Sequence, residues 1–511
     1  MASARHAGMR LSPVRVALTI VIVLVIAAVA VLVPLTLARQ DAAQRGPAGP
    51  GWFGGYFDAT AAAASEMPVN DSGAPSTVVL AFVVAAAADE CTPSWGAAYT
   101  MAEAASQIDL DRKVARIRER GDDIAVSFGG AINTELAVAC TDTTELADAY
   151  RSVIDRYDGS FIDLDLEYGN LTDEAAGERR AQAVAQLQKE YAAEGSPLAV
   201  WLTLPVAPDG LTGEGMRAVE QMLAAGVDLA GVNVMTMDYG VDLAGRSMAD
   251  ASEDALGATH GQLSRLLSRY EAVPASGDVW NMLGATPMIG QNDVPAEVFT
   301  LDDAAQLNEF AAAQGLGRMS MWSLNRDRTC GPNYPDTTVV SDSCSGVQQN
   351  GQSFAAVLSQ GMDTTPVSTA TPTVTQRPTA EPTDDPATSP YPVWSEDVSY
   401  SSGVKVVWRG NVYTAKWWTQ GGAEPDDPTL TAEETPWVYV GPVLPGDKPF
   451  TLPTAPPGTY PEWTPDGIYR AGDRVLYQGT PYVAKWFSQG ESPAVGITDK
   501  DRSPWRLLTE P

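Results

Sequence analysis

Ser160-Phe161-Ile162-Asp163-Leu164-Asp165-Leu166-Glu167 is the stretch whose reading decides the fold. Asp163, Asp165 and Glu167 alternate with Leu164 and Leu166, so a strand puts three carboxyls on one face and the leucines on the other. Like charges along one strand face repel, and burial makes this worse. A chain that keeps three of them there has a use for them. Outward from this stretch, further strand candidates recur at Phe53–Asp58, Thr77–Val84, Ile124–Phe128, Leu198–Leu204, Gly231–Met237, Leu283–Ile289 and Arg318–Ser323. Helical patterns fall between most of them, at Leu110–Arg120, Thr144–Tyr157, Asp173–Ala193, Gly213–Ala225, Ala251–Tyr270 and Leu301–Gln314. Eight strands alternating with helices over about 300 residues predict an α/β fold of the (β/α)8 TIM barrel type. A doubly wound open sheet is the competing arrangement. The count of eight and the lack of a Gly-rich phosphate loop weigh against it.

With Phe161–Glu167 as the fourth strand, Glu167 lies at its C-terminal end, the face on which barrel enzymes build their sites. Crowded carboxyls raise one another's pKa, so one of the set holds a proton near neutral pH. Glu167 then suits a general acid. Asp165, two residues deeper, cannot reach the far side of a sugar ring as a separate nucleophile, but it can orient a substrate group that attacks from within. The spacing therefore predicts substrate-assisted glycoside cleavage rather than two flanking carboxylates. A metal cluster or a structural rim is the alternative on spacing alone.

Composition sets the bounds. At 511 residues the chain has room for two to four domains. Its formal net charge of −31 argues against nucleic acid or an anionic lipid surface as partner and fits a neutral polymer. With only His6 and His260, a histidine triad or a multi-histidine metal site is almost excluded. Four cysteines without CxxC spacing suit two disulfides in an exported chain. Cys91 and Cys140 follow neighbouring strands two and three, and Cys330 and Cys344 share the loop after strand eight, which makes these the expected pairs.

Residues 1–15 are basic, with Arg5, Arg10 and Arg15, and 16–38 form an apolar run long enough to span a bilayer. This predicts a single-pass anchor with its N-terminus inside the cell and the remainder on the extracellular face. A cleaved signal segment and secretion is the rival, disfavoured by the length of the run. A spacer at 39–51 leads to the large α/β unit at 52–362, followed by a Thr/Pro-rich linker at 363–390. A small unit at 391–441, a Pro-rich linker at 442–460 and a second small unit at 461–509 complete the chain. The two units repeat at an offset of 69 residues: Trp394, Gly410, Tyr413 and Ala415-Lys416-Trp417-Trp418 recur as Trp463, Gly479, Tyr482 and Ala484-Lys485-Trp486-Phe487. Each is near the lower size limit for a core, so a minimal all-β module is expected. Adjacent aromatics on a strand point to opposite faces, so one of Trp417/Trp418, and one of Trp486/Phe487, fills the core while the other forms an exposed platform for sugar rings.

Four motifs spread over most of Trp52–Asp327 resemble those of glycoside hydrolase family 18, the chitinases. Ser160–Glu167 looks like the family's DxxDxDxE strand. Ser127-Phe128-Gly129-Gly130 is similar to its SxGG motif, Met235-Thr236-Met237-Asp238-Tyr239 to its MxYD motif, and Trp322 to the tryptophan ending strand eight. Gly55-Tyr56 resembles the strand-one tyrosine that, with Ser127, lies near Asp163. The resemblance implies a chitinase acting on β-1,4-linked N-acetylglucosamine polymers with retention, without metal or organic cofactor. Glu167 is then the acid, Asp165 the residue that holds the acetamido group and Asp163 its charge partner. Two positions depart from the pattern. Ser160 replaces a structural aspartate, and Met237 replaces the tyrosine that helps hold the acetamido group, a bond that methionine cannot donate. Tyr239, or Gln291 and Asn292 after strand seven, are the expected substitutes. The Gly290–Gly317 stretch leaves no room for an extra α+β insert, which predicts an open cleft and endo-type cutting. The repeats resemble the chitin-binding modules of carbohydrate-binding families 5 and 12, which makes chitin or its oligosaccharides the expected partner, held by Tyr413, Trp417, Trp418, Tyr482, Trp486 and Phe487. A non-catalytic chitin- or wall-binding surface protein and an endo-N-acetylglucosaminidase are the alternatives.

Overall fold

The computed structural model describes residues 51–61, 77–159, 161–274, 278–334, 336–362 and 384–509. The apolar run at 16–38, Ser160 and most of the Thr/Pro-rich linker lie outside them. Among the described residues no helix is long and apolar enough to cross a membrane.

Eight strands form the centre: β1 (Trp52–Asp58), β2 (Thr77–Ala87), β3 (Asp123–Gly129), β4 (Phe161–Asp165), β5 (Ala199–Ala207), β6 (Leu229–Met235), β7 (Leu283–Ala285) and β8 (Arg318–Met321). Each pairs in parallel with the next, and β8 pairs with β1, so the sheet closes into a TIM barrel. The connecting helices are α1 (Leu110–Glu119), α2 (Thr143–Tyr157), α3 (Glu174–Ala193), α4 (Gly213–Ala224), α5 (Met248–Arg269) and α6 (Leu301–Gln314). Their ends follow local chemistry. Thr300 and Asp303 form a capping box at the start of α6, and Gly315, at φ 74°, ends it in the left-handed conformation that glycine tolerates.

The period of two on β4 divides its residues between two cores. Ile162, Leu164 and Leu166 face outward into the large cluster shared with the helices, while Phe161 joins Trp52, Tyr56, Val79, Ala81, Ala125 and Trp201 inside the barrel. Asp163 and Asp165 lie on that same inner side, both buried. Two strands are shorter than expected. β4 stops at Asp165, although the Leu166 amide still donates to the Thr203 carbonyl (3.0 Å), so Glu167 sits just past the strand in extended backbone. β7 stops at Ala285, because Pro287 has no amide to give; pairing resumes where the Ile289 amide donates to the Trp322 carbonyl. β2 runs on into a hairpin with Glu90–Trp95, and Cys91 in that hairpin is joined to Cys140 beyond β3. Cys330 is joined to Cys344.

The C-terminal region is all-β, apart from one short helical turn, and built from two similar three-stranded antiparallel sheets. The first is β9 (Lys405–Trp408), β10 (Asn411–Ala415) and β11 (Trp437–Pro442); the second is β12 (Arg474–Tyr477), β13 (Thr480–Ala484) and β14 (Trp505–Leu507). Trp394, Tyr400, Val406, Tyr413, Ala415 and Trp437 fill the first core, and Val475, Tyr482, Ala484 and Trp505 the second. Tyr413 and Tyr482, expected among the sugar-contacting residues, are instead core residues, because each shares its inward strand face with the alanine two positions on. The Pro-rich segment between the sheets is not a free tether: Asp447 is paired with Arg112 of α1, and the Ala455 amide donates to the Gly479 carbonyl.

Candidate active site

The innermost polar group of the barrel is Asp163. Tyr56 Oη (2.8 Å) and Ser127 Oγ (2.7 Å) donate to its Oδ2, and Thr203 Oγ1 (2.7 Å) and an Arg318 Nη (2.6 Å) to its Oδ1. Both oxygens are thus satisfied, and the charge is matched inside the protein. The Arg318 guanidinium is buried, lying 5.0 Å from the Trp52 ring and 5.5 Å from those of Tyr56 and Trp201. Neither Arg318 nor Thr203 stands out in the sequence, since each is a polar residue at an inward position of a mostly apolar strand.

Above this pair stand Asp165 and Glu167, which share a hydrogen bond. Burial, then the neighbouring charges of Glu167 and Asp163, pushes the Asp165 carboxyl well above its usual range. Burial also raises Glu167, to about 7, with Asp238 and Asp293 adding to it and the bond from Asp165 opposing. Burial thus favours the neutral form of both carboxyls, and the two share a hydrogen bond in the unliganded site. Its Oδ1 is buried and makes no hydrogen bond among the described residues, so an acceptor atom is left for an incoming group. Among the described residues, no group of three or more His, Cys, Asp or Glu is placed to hold a metal ion.

The Gly129-Gly130 pair explains how the β3 end comes so close. A Cβ on Gly129 would lie 2.0 Å from the Asp165 carbonyl oxygen, and one on Gly130 would lie 2.8 Å from the Phe82 ring; both residues have positive φ. The Gly130 amide donates to the same Asp165 carbonyl (3.0 Å). Behind this turn, Asn170 donates towards the Gly130 and Asn133 carbonyls, and a buried ion pair of Arg180 with Glu135 (2.7 Å) braces it. Asn170 belongs to the short helix that starts directly after Glu167, so this network fixes the backbone on both sides of the acid.

The floor is aromatic. Trp322 is half-buried and stacks on Phe82 (5.4 Å between centroids, 18° between planes), with Tyr56 tilted against both. Phe82 was not singled out by any motif. Met235 ends β6, nearly buried, and Met237 is half-buried beyond it. The residues expected to stand in for the tyrosine absent at Met237 are committed elsewhere. Tyr239 Oη bonds Ser252 Oγ of α5 (3.3 Å), and its ring packs on the outer core. The Gln291 amide donates to the carbonyls of Asn292, Pro295 and Glu297, and that of Asn292 to Met288 and Gly290. These bonds shape the loop after β7. They also set Asp238, whose Oδ1 accepts from the Val294 amide (2.9 Å) and whose carboxylate faces Glu167.

That placement makes a testable statement about pH. A neutral side chain at 238 removes a like charge, so Glu167 should lose its proton more easily. Asp238→Asn should move the alkaline limb of kcat/KM to lower pH by up to about one unit. A full pH–rate profile measures this, and an unchanged or raised limb would count against the arrangement.

In the C-terminal sheets the aromatic pairs do not split between core and solvent. Trp486 and Phe487 are both exposed (44% and 61%), because Ala484 already occupies the inward position of β13 and the chain turns after it. Trp417 is exposed (45%), whereas Trp418 is half-buried against the second sheet unit.

Residues 462–506 match the carbohydrate-binding module family 5/12. Over 261 residues the chain is 38% identical to the probable bifunctional chitinase/lysozyme of Escherichia coli (strain K12), a match covering 50% of this chain and 28% of that protein. Over 255 residues it is 37% identical to endochitinase 11 of Metarhizium anisopliae, covering 48% of this chain and 47% of that one. The chain thus spans less than half the length of either curated relative. Among solved structures, catalytic-site mutants of active domain 2 of a chitinase from Pyrococcus furiosus match at 28% identity and a TM-score of 0.50, over 62% of this chain and 97% of that one. The same domain complexed with chito-oligosaccharides matches with a TM-score of 0.51, at the same identity and coverage.

Proposed function

We propose that this chain is a chitinase that cleaves β-1,4-linked N-acetylglucosamine polymers with retention, through attack by the substrate's own acetamido group. The observation that carries the reading is the stack of three carboxyls with separate environments: Asp163 fully bonded to Tyr56, Ser127, Thr203 and Arg318, Asp165 with an open oxygen, and Glu167 raised to about 7 at the rim. The relatives named chitinase and endochitinase support the same substrate.

In this mechanism Glu167 gives its proton to the glycosidic oxygen as the bond to the anomeric carbon breaks. The acetamido carbonyl oxygen attacks that carbon, forming an oxazolinium ion. Asp165 turns its open oxygen to the acetamido N–H, and the fixed anion of Asp163 beneath it disfavours a full charge there until the cation forms. Water then opens the ring from the face where the leaving group departed, with Glu167 accepting its proton. Because Tyr239, Gln291 and Asn292 are held in other bonds, the acetamido hydrogen bond is assigned to Asp165, and Met237 contributes contact. First-formed products read by NMR should be β-anomers. Products that appear as α-anomers would exclude this route.

Two finer readings belong to the same proposal. The segment after β7 holds a small hairpin, Gly290–Gln291 with Val298–Phe299, and then α6, which supports an open cleft and mid-chain cutting. A rapid fall in viscosity of soluble chitin derivatives is the expected sign. The basic residues Arg5, Arg10 and Arg15 before the apolar run at 16–38, together with two disulfides, support a location outside the cytoplasmic membrane, anchored or released.

Chitin capture is assigned to the exposed aromatics. Replacing Trp486 and Phe487 together with alanine should lower binding to chitin about 10- to 100-fold, from loss of stacking and of one arm of a linked pair. Hydrolysis of soluble oligomers should be unchanged. A pull-down on chitin beads decides the matter, and undiminished retention would remove the platform.

A further inference from the structure

We propose that the C-terminal region is docked as one body with the barrel, and that Trp418 serves as the lock between the two sheet units rather than as a sugar platform. Two sets of contacts carry this. The first lies on the outer side of α1, where a strongly acidic chain places Arg112 and Arg116. Arg112 grips Asp447 with both terminal nitrogens (3.0 Å each) and also donates to the Pro442 carbonyl. Arg116 donates to the Tyr439 carbonyl and lies 5.0 Å from its ring, while Tyr439 Oη donates to Glu119 (2.7 Å). Lys405 Nζ meets Asp109 at 2.5 Å. The approach is so close that a Cβ on Gly441 would lie 2.4 Å from the Arg112 carbonyl oxygen. Arg112 is buried by this contact although α1 lies on the outside of the barrel. Bidentate arginine–carboxylate pairing of this kind fixes orientation as well as distance.

The second set joins the two units. Trp418 Nε1 donates to Asp499 Oδ2 (2.9 Å), and the Arg502 guanidinium lies 3.5 Å from the centre of its ring. The Ser401 backbone amide donates to the Thr498 carbonyl (2.8 Å), and its hydroxyl donates to Asp499 Oδ1 (3.1 Å). The repeat itself shows what the indole is for. At the equivalent place the second unit has Phe487, which has no N–H to donate and is exposed. The tryptophan stands where it contacts the neighbouring unit, and its exposed counterpart Phe487 makes no such bond. Its consequence for insoluble substrate rests on the chitinase reading: the platforms at Trp417 and at Trp486 and Phe487 keep a fixed relation to the cleft.

The test uses the full chain in mild detergent. A carbodiimide forms an amide only between a carboxylate and an amine already in contact, so it should join Asp109 to Lys405, read by mass spectrometry of the digest. Arg112→Ala should lower that link about tenfold, and Trp418→Phe or Arg502→Ala should speed amide hydrogen exchange across 495–503 about tenfold. Absence of the 109–405 link while other internal links form would overturn the docking. Unchanged exchange in both second-unit variants, or faster exchange spreading equally through 474–484, would overturn the lock. Failure of the wild-type chain to cut soluble oligomers would sink the chitinase reading and leave these results standing.

Discussion

Glu167→Gln should lower kcat on soluble N-acetylglucosamine oligomers by about 10²- to 10⁴-fold, the usual range for losing a positioned proton donor. Glutamine keeps the shape of the side chain but has no proton to give at this site, whereas Glu167 keeps one up to about pH 7. Retention on chitin should be unaffected, because the exposed aromatics lie in separate sheets. Asp165→Asn should cost a comparable factor, and the double variant much less than the product of the two, since the shared hydrogen bond makes them one unit. The assay is product release from oligomers and from colloidal chitin with each variant. If wild type and Glu167→Gln gave equal, near-zero product, only a binding role would survive.

Arg318→Met should destabilise the barrel by about 3–5 kcal/mol, the cost of leaving one member of a buried ion pair without its partner. The loss falls on Asp163, whose buried partner is removed in a site lined by Trp52, Tyr56 and Trp201. It also reaches the chemistry. The Arg318 cation is one of the influences holding the Asp165 carboxyl down, so without it Asp165 retains its proton to higher pH. The pH–rate profile of the surviving enzyme should therefore move upward as kcat falls. Arg318→Lys restores the charge but not the fork, and should recover the profile better than the stability. Urea unfolding and rate profiles for both variants separate the two effects; a Met variant as stable as wild type would count against the Arg318–Asp163 pair as a support of the fold.

The eight strands were legible because strands buried on both faces must be apolar, and the carboxyls showed against that background. The Asp163–Asp165–Glu167 alternation gave both the face and the depth order. What stayed hidden was whatever depends on a partner distant in sequence. Arg318 begins Arg318-Met319-Ser320-Met321, a run that does not disclose which way the guanidinium points. Asp238, after β6, and Asp293, in the loop after β7, reach Glu167 from segments distant from it in sequence, and the Val294 amide ties the two segments together. Tyr239 lies two residues past Met237 in sequence, yet the left-handed backbone at Asp238 (φ 47°) turns the chain towards α5. Trp417 and Trp418 follow the end of β10, where strand alternation no longer governs them. Packing between units decided their fates.

The basic face of α1 has one further consequence. By covering Arg112 and Arg116 with its own C-terminal region, a chain of net charge −31 turns a cationic patch inward and presents an outer surface dominated by carboxylates. Copies seated side by side on an uncharged polymer then repel one another over about 8 Å at physiological ionic strength. Surface coverage, rather than the affinity of any single copy, becomes the quantity that salt controls: added salt should let more molecules crowd onto the same area of polymer while leaving the grip of each one nearly constant.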